Sequence, residues 1–323
     1  MDALSDVLRA VRLTGAFFFD VHARGPWVAE TPSGKSVVGA MFPGTGSDHL
    51  ICYHAILDGT CWCSLDGEAP IKLEAGDIVL LAQGDTHVLS TEVGMRNPPN
   101  MGMYRQPEDG RLPSRISVGA ETGQHGHFVC GFLACDSRPY NPLLTALPRI
   151  LRVSDHGSGA LGAYFRAALA ESKGRMGGEC MLGRISELMF VDVVRRYLET
   201  LPEGRMNWLA GLRDPYVGRA LTALHERPGH DWTIEALAQV AALSRSAFAE
   251  KFVEFVGQPP MQYLANWRMQ LATSYLRNGT ESVASVANRV GYDSEAAFSR
   301  AFKKAVGSPP SEWRAQHLPG HAA

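Results

Sequence analysis

A fifty-residue internal repeat is the strongest constraint on what this chain can fold into. Phe248, Phe252, Gly257, Pro259, Pro260 and Tyr263 recur as Phe298, Phe302, Gly307, Pro309, Pro310 and Trp313. Upstream, Leu237-Ala238 matches Val286-Ala287, one residue out of step because the second turn is longer. A repeat of this period signals two copies of one supersecondary unit. Each copy reads as a short helix, a turn, a second helix, and a Gly-x-Pro-Pro that opens a further helix. Phenylalanines at i and i+4 give each second helix a buried face. Ala238 and Ala287 let the first helix approach closely, and Ala242 and Gly291 occupy the turn, where a small residue is needed. Ser244 and Ser294 are placed to cap the amides of the second helix. The outer face of each second helix is left polar, as suits a helix that enters a DNA major groove. Between the copies, Pro260–Asn278 spans about 28 Å as a helix. That approaches one turn of DNA, about 34 Å, so the two units are predicted to read successive major grooves on one face of a duplex.

Charge agrees with this placement. From Arg205 onward 13 Lys and Arg stand against 10 Asp and Glu, whereas the preceding residues carry 18 against 23. Only the C-terminal part has the sign that suits a nucleic acid. A chain of 323 residues, 45% hydrophobic and 20% charged, is long enough for two domains. No apolar run approaches the roughly 18 residues of a membrane span. The N-terminus, with Asp2, Asp6 and an amphipathic Leu4, Val7, Leu8 and Val11, carries no signal-peptide pattern. A cytoplasmic protein without a membrane partner is expected. Its cysteines (Cys52, Cys61, Cys63, Cys130, Cys135 and Cys180) are then reduced thiols.

The N-terminal stretch is of another kind. Val37–Met41, Leu50–Leu57, Thr60–Leu65, Ile71–Leu73, Ile78–Leu81 and Phe128–Ala134 read as short strands, with Asp58-Gly59 and Asp66-Gly67 as hairpin turns. Met95–Ser114 reads as a long loop and Ser137–Pro148 as a proline-bearing connector. From Gly159 the period becomes helical. Leu161, Phe165, Ala168 and Leu169 share one face; after a break at Gly174–Gly178, Leu182, Ile185, Leu188, Met189, Asp192 and Arg196 continue on a second helix. Such a pair packs on its own chain or on a second copy, and a homodimer is expected. Beyond 204 the pattern is helical throughout: a helix from Asp214-Pro215 to Pro228-Gly229, then Trp232–Ala241, Ser244–Val256, Pro260–Asn278, Ser282–Arg289, Ser294–Val306 and Pro309–Gln316. The expected class is α+β: a β-barrel sensor over 1–148, a helical, dimerising segment over 149–204, and an all-α domain with two helix-turn-helix units over 205–323.

The stretch Val286-Ala287-Asn288-Arg289-Val290-Gly291-Tyr292-Asp293-Ser294, continued by Phe298-Ser299-Arg300-Ala301-Phe302-Lys303-Lys304 and Gly307-Ser308-Pro309-Pro310, resembles the C-terminal signature of the AraC/XylS family of transcription regulators. The resemblance implies double-stranded DNA and RNA polymerase as partners, with activation the more frequent outcome. It implies base-facing positions at Glu295, Ala296 and Arg300 in the second unit and at Ser246, Ala249 and Glu250 in the first. Arginine bonds guanine O6 and N7 in a bidentate way, which makes Arg300 the leading candidate. Glu250 can accept from cytosine N4 or be a solvated acid. Arg245, Lys251, Lys303 and Lys304 suit phosphate contacts. With Ala249 and Ala296 at two of the positions, the first unit is expected to contribute less specificity.

In the N-terminal part, Gly76-Asp77, four apolar residues, Ala82-Gln83-Gly84 and Asp85-Thr86-His87 resemble the second half of the cupin motif, with Ala82 where proline is usual. His54 sits where the first cupin motif places a histidine, followed by Asp58-Gly59. With Trp27 and Pro142–Pro148, this resembles the cupin-type N-terminal domain found in one branch of the same family. Metal-binding cupins use two histidines and a glutamate from the first motif and a histidine from the second. Here Ile56 stands two residues after His54, and no matching glutamate is present. Two readings stay open: zinc or iron held by His54, His87 and a thiol such as Cys130, with His125 and His127 nearby, or histidines kept as satisfied pocket residues with no cofactor required. The barrel mouth suits a small-molecule effector. Cys61 and Cys63, on one face of a strand, supply a thiol-based alternative together with Cys130 and Cys135, since some cupin-type members of the family respond to oxidants. A cupin metalloenzyme carrying a DNA-binding domain is the competing reading; no catalytic residue is assigned.

Overall fold

A computed structural model of the chain describes residues 2–10, 13–42, 47–104, 113–137, 139–154, 160–171, 176–202 and 204–317. Residues group into two compact units. One is Leu13–Asp136 with Leu147–Thr200; the other is Met1–Arg12, Ser137–Ala146 and Leu201–Ala323.

Among the described residues the first unit carries ten strands: β1 (Leu13–Arg24), β2 (Val28–Thr31), β3 (His49–Asp58), β4 (Thr60–Leu65), β5 (Ile71–Glu74), β6 (Asp77–Leu81), β7 (His87–Ser90), β8 (Ser114–Gly119), β9 (His125–Cys135) and β10 (Leu151–Ser154). They form a six-stranded sheet, β10-β6-β3-β9-β1-β8, and a four-stranded sheet, β2-β7-β4-β5. Every recorded pairing is antiparallel except β1 with β8. Alternation along β4 buries Cys61, Cys63 and Leu65. Strands β3 and β6 are buried almost throughout, which requires cover on both faces of the larger sheet. Helices Ala160–Glu171 and Gly178–Glu199 belong to this unit and supply cover; Phe165 lies 6.3 Å from the Tyr53 ring on β3.

Leu182, Ile185, Met189, Phe190, Val193 and Val194 of the longer helix are buried within its own chain. Leu188, expected on that apolar face, is instead 53% exposed, as is Met181 at 51%. The spacing of seven from Met181 to Leu188 places both on the outer side, while the inner stripe follows 182, 185, 189 and 193.

The unit division departs from the expected boundaries in two places. Helix Ala3–Ala10 and the 137–146 connector, with its helix Pro142–Ala146, join the C-terminal unit; residues 147–200 join the barrel. Packing explains the first. Gln270 is 1% exposed, donates Nε2–H to the Ala10 carbonyl at 3.3 Å and accepts from the Tyr140 amide at 3.1 Å. The Tyr140 ring stands edge-on to Tyr263 at 5.7 Å, and its hydroxyl accepts from Gln258 Nε2 at 2.6 Å.

Other expectations are revised locally. Val37–Met41 is not a strand but the end of helix Gly34–Met41. A short apolar run does not distinguish a strand from a buried helical face. Within the expected 95–114 loop, Met101–Tyr104 form a 3₁₀ turn and 105–112 lie outside the described residues. The change of period at Gly159 and the first two residues of the Gly174–Gly178 break also fall outside them, while Gly177 caps the longer helix and Gly178 opens it.

The C-terminal unit continues with helices Trp208–Arg213, Val217–Glu226, Ile234–Val240, Arg245–Val256, Pro260–Asn278, Val283–Arg289, Glu295–Val306 and Pro310–His317. The Asp214 carboxylate accepts from the amides of Tyr216 and Val217, both at 2.9 Å, so the regular helix begins two residues after Pro215. Phe248 and Phe252 pack the first copy with Trp208, Tyr263 and Trp267, and Phe298 and Phe302 pack the second with Trp313. In the first core the Trp208 indole donates to the Tyr263 hydroxyl at 2.9 Å, which donates to His225 Nε2 at 2.6 Å. Burial pulls His225 down to about 3, so its ring is neutral and free to accept. Among the described residues, no helix is long and apolar enough to cross a membrane.

Both helix-turn-helix turns close alike. The Leu243 amide donates to the Ala238 carbonyl at 3.0 Å, and Tyr292 to Ala287 at 2.9 Å. Ala242 and Gly291 hold the left-handed conformation there, at φ 54° and 82°. A Cβ on Gly291 would lie 2.7 Å from both the Arg268 guanidinium and the Gly229 carbonyl. Gly291→Ala is therefore expected to lower unfolding free energy by about 1–3 kcal/mol. Ala242→Gly, relieving left-handed strain, should leave stability unchanged or higher. Denaturant unfolding of the two variants checks the contrast; equal losses would contradict it.

Candidate DNA-binding face and sensor cavity

The caps expected at the second helices are formed. Ser244 Oγ accepts from the Ala247 amide at 3.3 Å and Ser294 Oγ from Ala297 at 3.2 Å. Each cap starts a helix whose phenylalanines turn inward, which sets the outward face. On the second recognition helix that face shows Glu295, Ala296, Arg300, Lys303 and Lys304, all exposed. Among the described residues no ion pair engages Arg300, Lys303 or Lys304. On the first, Ser246 and Glu250 are exposed and Ala249 half-buried. Val253, one turn further, is 41% exposed on the same side; the sequence reading passed over it because an apolar residue suggests core.

Two of the proposed phosphate contacts are otherwise engaged. Lys251 pairs with Asp214 at 3.0 Å and lies over the Phe255 ring, so it braces its own unit. Arg245 pairs with Glu235 at 3.2 Å, but both are well exposed, and such a pair opens at little cost. A second omission is Arg268, on the helix between the copies. Its Nε donates to the Pro228 carbonyl at 2.8 Å, one terminal nitrogen to Gly291 at 3.2 Å and the other to His230 at 2.8 Å. One guanidinium thus ties the loop of the first copy to the turn of the second.

In the barrel, the two sheets bring their histidines together. His54 on β3 stands directly opposite Cys130 on β9, and His87 comes from β7 of the other sheet. His87 Nδ1 lies 2.8 Å from the Asp85 carbonyl, the two histidine Nε2 atoms 2.7 Å apart, and His54 Nδ1 2.7 Å from Cys130 Sγ. Burial and the neighbouring His87 hold His54 well below the usual histidine value, and burial pulls His87 to about 4. Two neutral rings fix the direction of every bond. A carbonyl only accepts, so His87 Nδ1 carries a proton and its Nε2 is bare. His54 Nε2–H then donates to it, and His54 Nδ1 accepts the Cys130 thiol proton.

Cys52, absent from the candidates drawn from sequence, is the fourth member. Its sulfur lies 3.5 Å from His54 Nε2 and 3.8 Å from His87 Nε2. An ion placed here would be held by Cys52, His54 and His87, whose donor atoms all lie within 4.8 Å of one another. Cys130 faces the other nitrogen of His54, so it does not complete the expected His54–His87–Cys130 set. Two imidazoles and a thiol suit a borderline ion such as zinc. The signal for Cys52 was its spacing of two from His54, which puts both on one strand face.

Cys61, Cys63 and Cys135 are buried as well, whereas Cys180 is exposed. Burial pushes Cys61 and Cys63 up to about 12 and Cys52, Cys130 and Cys135 well above the ordinary thiol value. Cys135, five residues from Cys130, points to the other face of β9. Beside the histidine string lies a cavity of about 40 Å³, lined by Phe19, Trp27, Tyr104, Phe128 and Phe132 together with His54 and Cys130.

Two copies of a capped helix-turn-helix, joined by one helix and with Arg300, Lys303 and Lys304 exposed on the second, define a DNA-binding module; the other unit is a small barrel with an aromatic cavity. A cupin family model matches residues 2–199, and a helix-turn-helix domain model matches residues 237–316. A putative AraC-like transcription regulator of Streptomyces lividans is 32% identical over 318 residues, covering 97% of this chain and 98% of that protein. The HTH-type transcriptional regulator AlkR of Acinetobacter baylyi is 29% identical, covering 98% and 100%. The RCS-specific HTH-type transcriptional activator RclR of Escherichia coli is 28% identical, covering 84% and 86%. The crystallised DNA-binding domain of AdpA in complex with a target DNA is 32% identical over 32% of this chain and 91% of that one, with a TM-score of 0.30. The chain belongs to the AraC-type transcription regulators with a cupin-type N-terminal domain, and it is a DNA-binding regulator.

The neutral histidines carry a pH consequence. Each has a lower pKa folded than unfolded, so the unfolded chain binds more protons in acid. Their contribution is fully present above about pH 6.5 and is lost as pH falls below it, for His87 down to about 4, at up to about 1.4 kcal/mol per unit. The barrel's melting temperature should therefore drop between pH 7 and pH 5. The drop should be shallower in His87→Gln; an identical slope would place the acid sensitivity elsewhere.

Proposed function

We propose that this regulator is an effector-gated activator whose barrel binds a small, largely apolar molecule in the aromatic cavity. The observation that carries the reading is the cavity itself: an aromatic lining, with the hydrogen-bonded His54–Cys130 pair and the Thr31 and Tyr104 hydroxyls as polar points. Such a composition suits a largely apolar ligand with few polar groups. Thiol sensing is disfavoured by the raised pKa values of Cys52, Cys61, Cys63, Cys130 and Cys135, since the thiolate is the reactive form. The Cys52, His54 and His87 set beside the cavity contains no carboxylate, and a binding module is the reading preferred over an enzyme. Activation is taken from the printed role of RclR, and it carries RNA polymerase as partner.

In its present form the cavity holds little more than a water or two. A ligand must widen it, and so favours a second arrangement of the strands around it. Two of those strands lead directly out of the barrel. β1 begins three residues after Ala10, and β9 ends five residues before Tyr140; their ends pair, Leu13 with Cys135. Gln270 holds both Ala10 and Tyr140 on the helix that joins the two DNA-reading units. The route proposed from the cavity to the recognition helices is the chain itself, from β1 back to Ala10 and from β9 on to Tyr140.

Small apolar molecules titrated against Trp27 fluorescence and operator affinity test this. A ligand should change both in the wild type, and Gln270→Ala should keep ligand binding while losing most of the change in affinity. If no compound alters affinity but an oxidant abolishes it, thiol sensing replaces this reading. For the DNA face, Arg300→Ala is expected to cost about 1–3 kcal/mol and relax preference at one base pair. Lys303→Ala should weaken all sequences alike and lower the salt slope. Unchanged affinity and preference in Arg300→Ala would move the recognition face.

A further inference from the structure

We propose a divalent transition-metal site on the outer face of the six-stranded sheet, formed by Asp20, His22 and His127 and taking zinc or an ion of like preference. It lies on the opposite side of β1 from the effector cavity: Phe19 and Val21 line the cavity, while Asp20 and His22 alternate outward.

The ladder between β1 and β9 sets the geometry. His22 and His127 are directly opposed, and their rings stack with centroids 4.4 Å apart and planes 14° from parallel. Asp20, two residues before His22 and so on the same face, reaches both. One carboxylate oxygen lies 2.6 Å from His127 Nε2 and the other 3.3 Å from His22 Nε2. All three donor atoms fall within 4.8 Å of one another. The side chains are 21–23% exposed, sheltered enough to be held and open enough for an ion to arrive with water in its free positions. His125, two residues along β9, keeps its ring 5.8 Å from that of His22 and is tethered to Asp58 at 3.2 Å; a rotation brings a third imidazole within reach.

Two imidazoles and one carboxylate on paired strands form a facial set suited to zinc, iron(II), cobalt(II) and nickel(II). Calcium and magnesium need several oxygen donors, and this set offers one carboxylate. An imidazole binds a metal only in its deprotonated form, so affinity should fall in acid. Placed there, the ion bonds β1 to β9 from outside.

Cobalt(II) is the probe, used on the full chain with zinc as competitor, because its spectrum separates this site from the buried thiol cluster. In Cys52→Ser, one equivalent of cobalt should still bind, with d–d bands but no thiolate-to-cobalt charge transfer, and zinc should displace it. In His22→Gln/His127→Gln, the apparent affinity of that equivalent should fall by roughly tenfold or more, with circular dichroism and metal-free melting unchanged. Asp20→Asn, which keeps size and hydrogen bonding, should weaken it in the same direction and guards against a folding defect in the double variant. Cobalt binding undiminished in the double variant and in Asp20→Asn, or absent from Cys52→Ser, would overturn the site.

Discussion

Arg268 reaches three backbone carbonyls, at Pro228, His230 and Gly291, and the relation between the two DNA-reading units hangs on those three bonds. A helix alone sets the distance between the copies but leaves their rotation to whatever packs at its ends. Here the first copy's loop meets the second copy's turn so closely that Gly229 and Gly291 touch backbone to backbone. The guanidinium fills the corner between them. Its planar fork matches carbonyls spread over two segments in a way a lysine ammonium does not. Both recognition helices are then presented as one rigid face, which is what reading two successive grooves demands.

The barrel depends on a different economy. Its two sheets meet through polar groups, His54 from one and His87 from the other, in a place where burial makes charge costly. The string from Cys130 through both rings to the Asp85 carbonyl satisfies the buried nitrogens without any net charge. That neutrality explains why the aromatic lining can crowd around it. The buried thiols belong to the same logic. Protonated and enclosed, they act as small apolar residues, with Cys130 doubling as a donor.

Much of the helical part was legible in sequence, because the signals there are local. Serine caps, proline at the first turn of the long helix, glycine after the second helices and phenylalanines at i, i+4 each specify a boundary within one or two residues. Arg268 was not legible, since its partners lie 23 to 40 residues away and an exposed arginine on a helix has the same spelling. In the barrel, His54 and His87 were found through the motif they resemble, whereas Cys52 needed the strand parity that placed it beside them. Strand β1 shows a clear alternation, Phe19-Asp20-Val21-His22-Ala23-Arg24, yet went unassigned beside the more obvious apolar runs. Val37–Met41 erred in the opposite direction: β-branched residues there suit a strand, but the fold needs a helix against β3. Membership of residues 3–10 and 137–146 in the C-terminal unit is a long-range fact with no local signature at all.

That last arrangement bears on how such a protein can change over evolutionary time. The chain passes between its two units after residue 12, after 136, after 146 and after 200, so neither unit is one uninterrupted stretch of gene. A sensor cannot be exchanged for another by a single recombination between barrel and reader without stripping the reader of its N-terminal helix and its tyrosine strap. Gln270 would then face water with both partners gone, alongside the apolar surface that Leu4 and Val7 cover. New specificities in this architecture are more readily gained by altering the cavity lining in place than by grafting a foreign sensor.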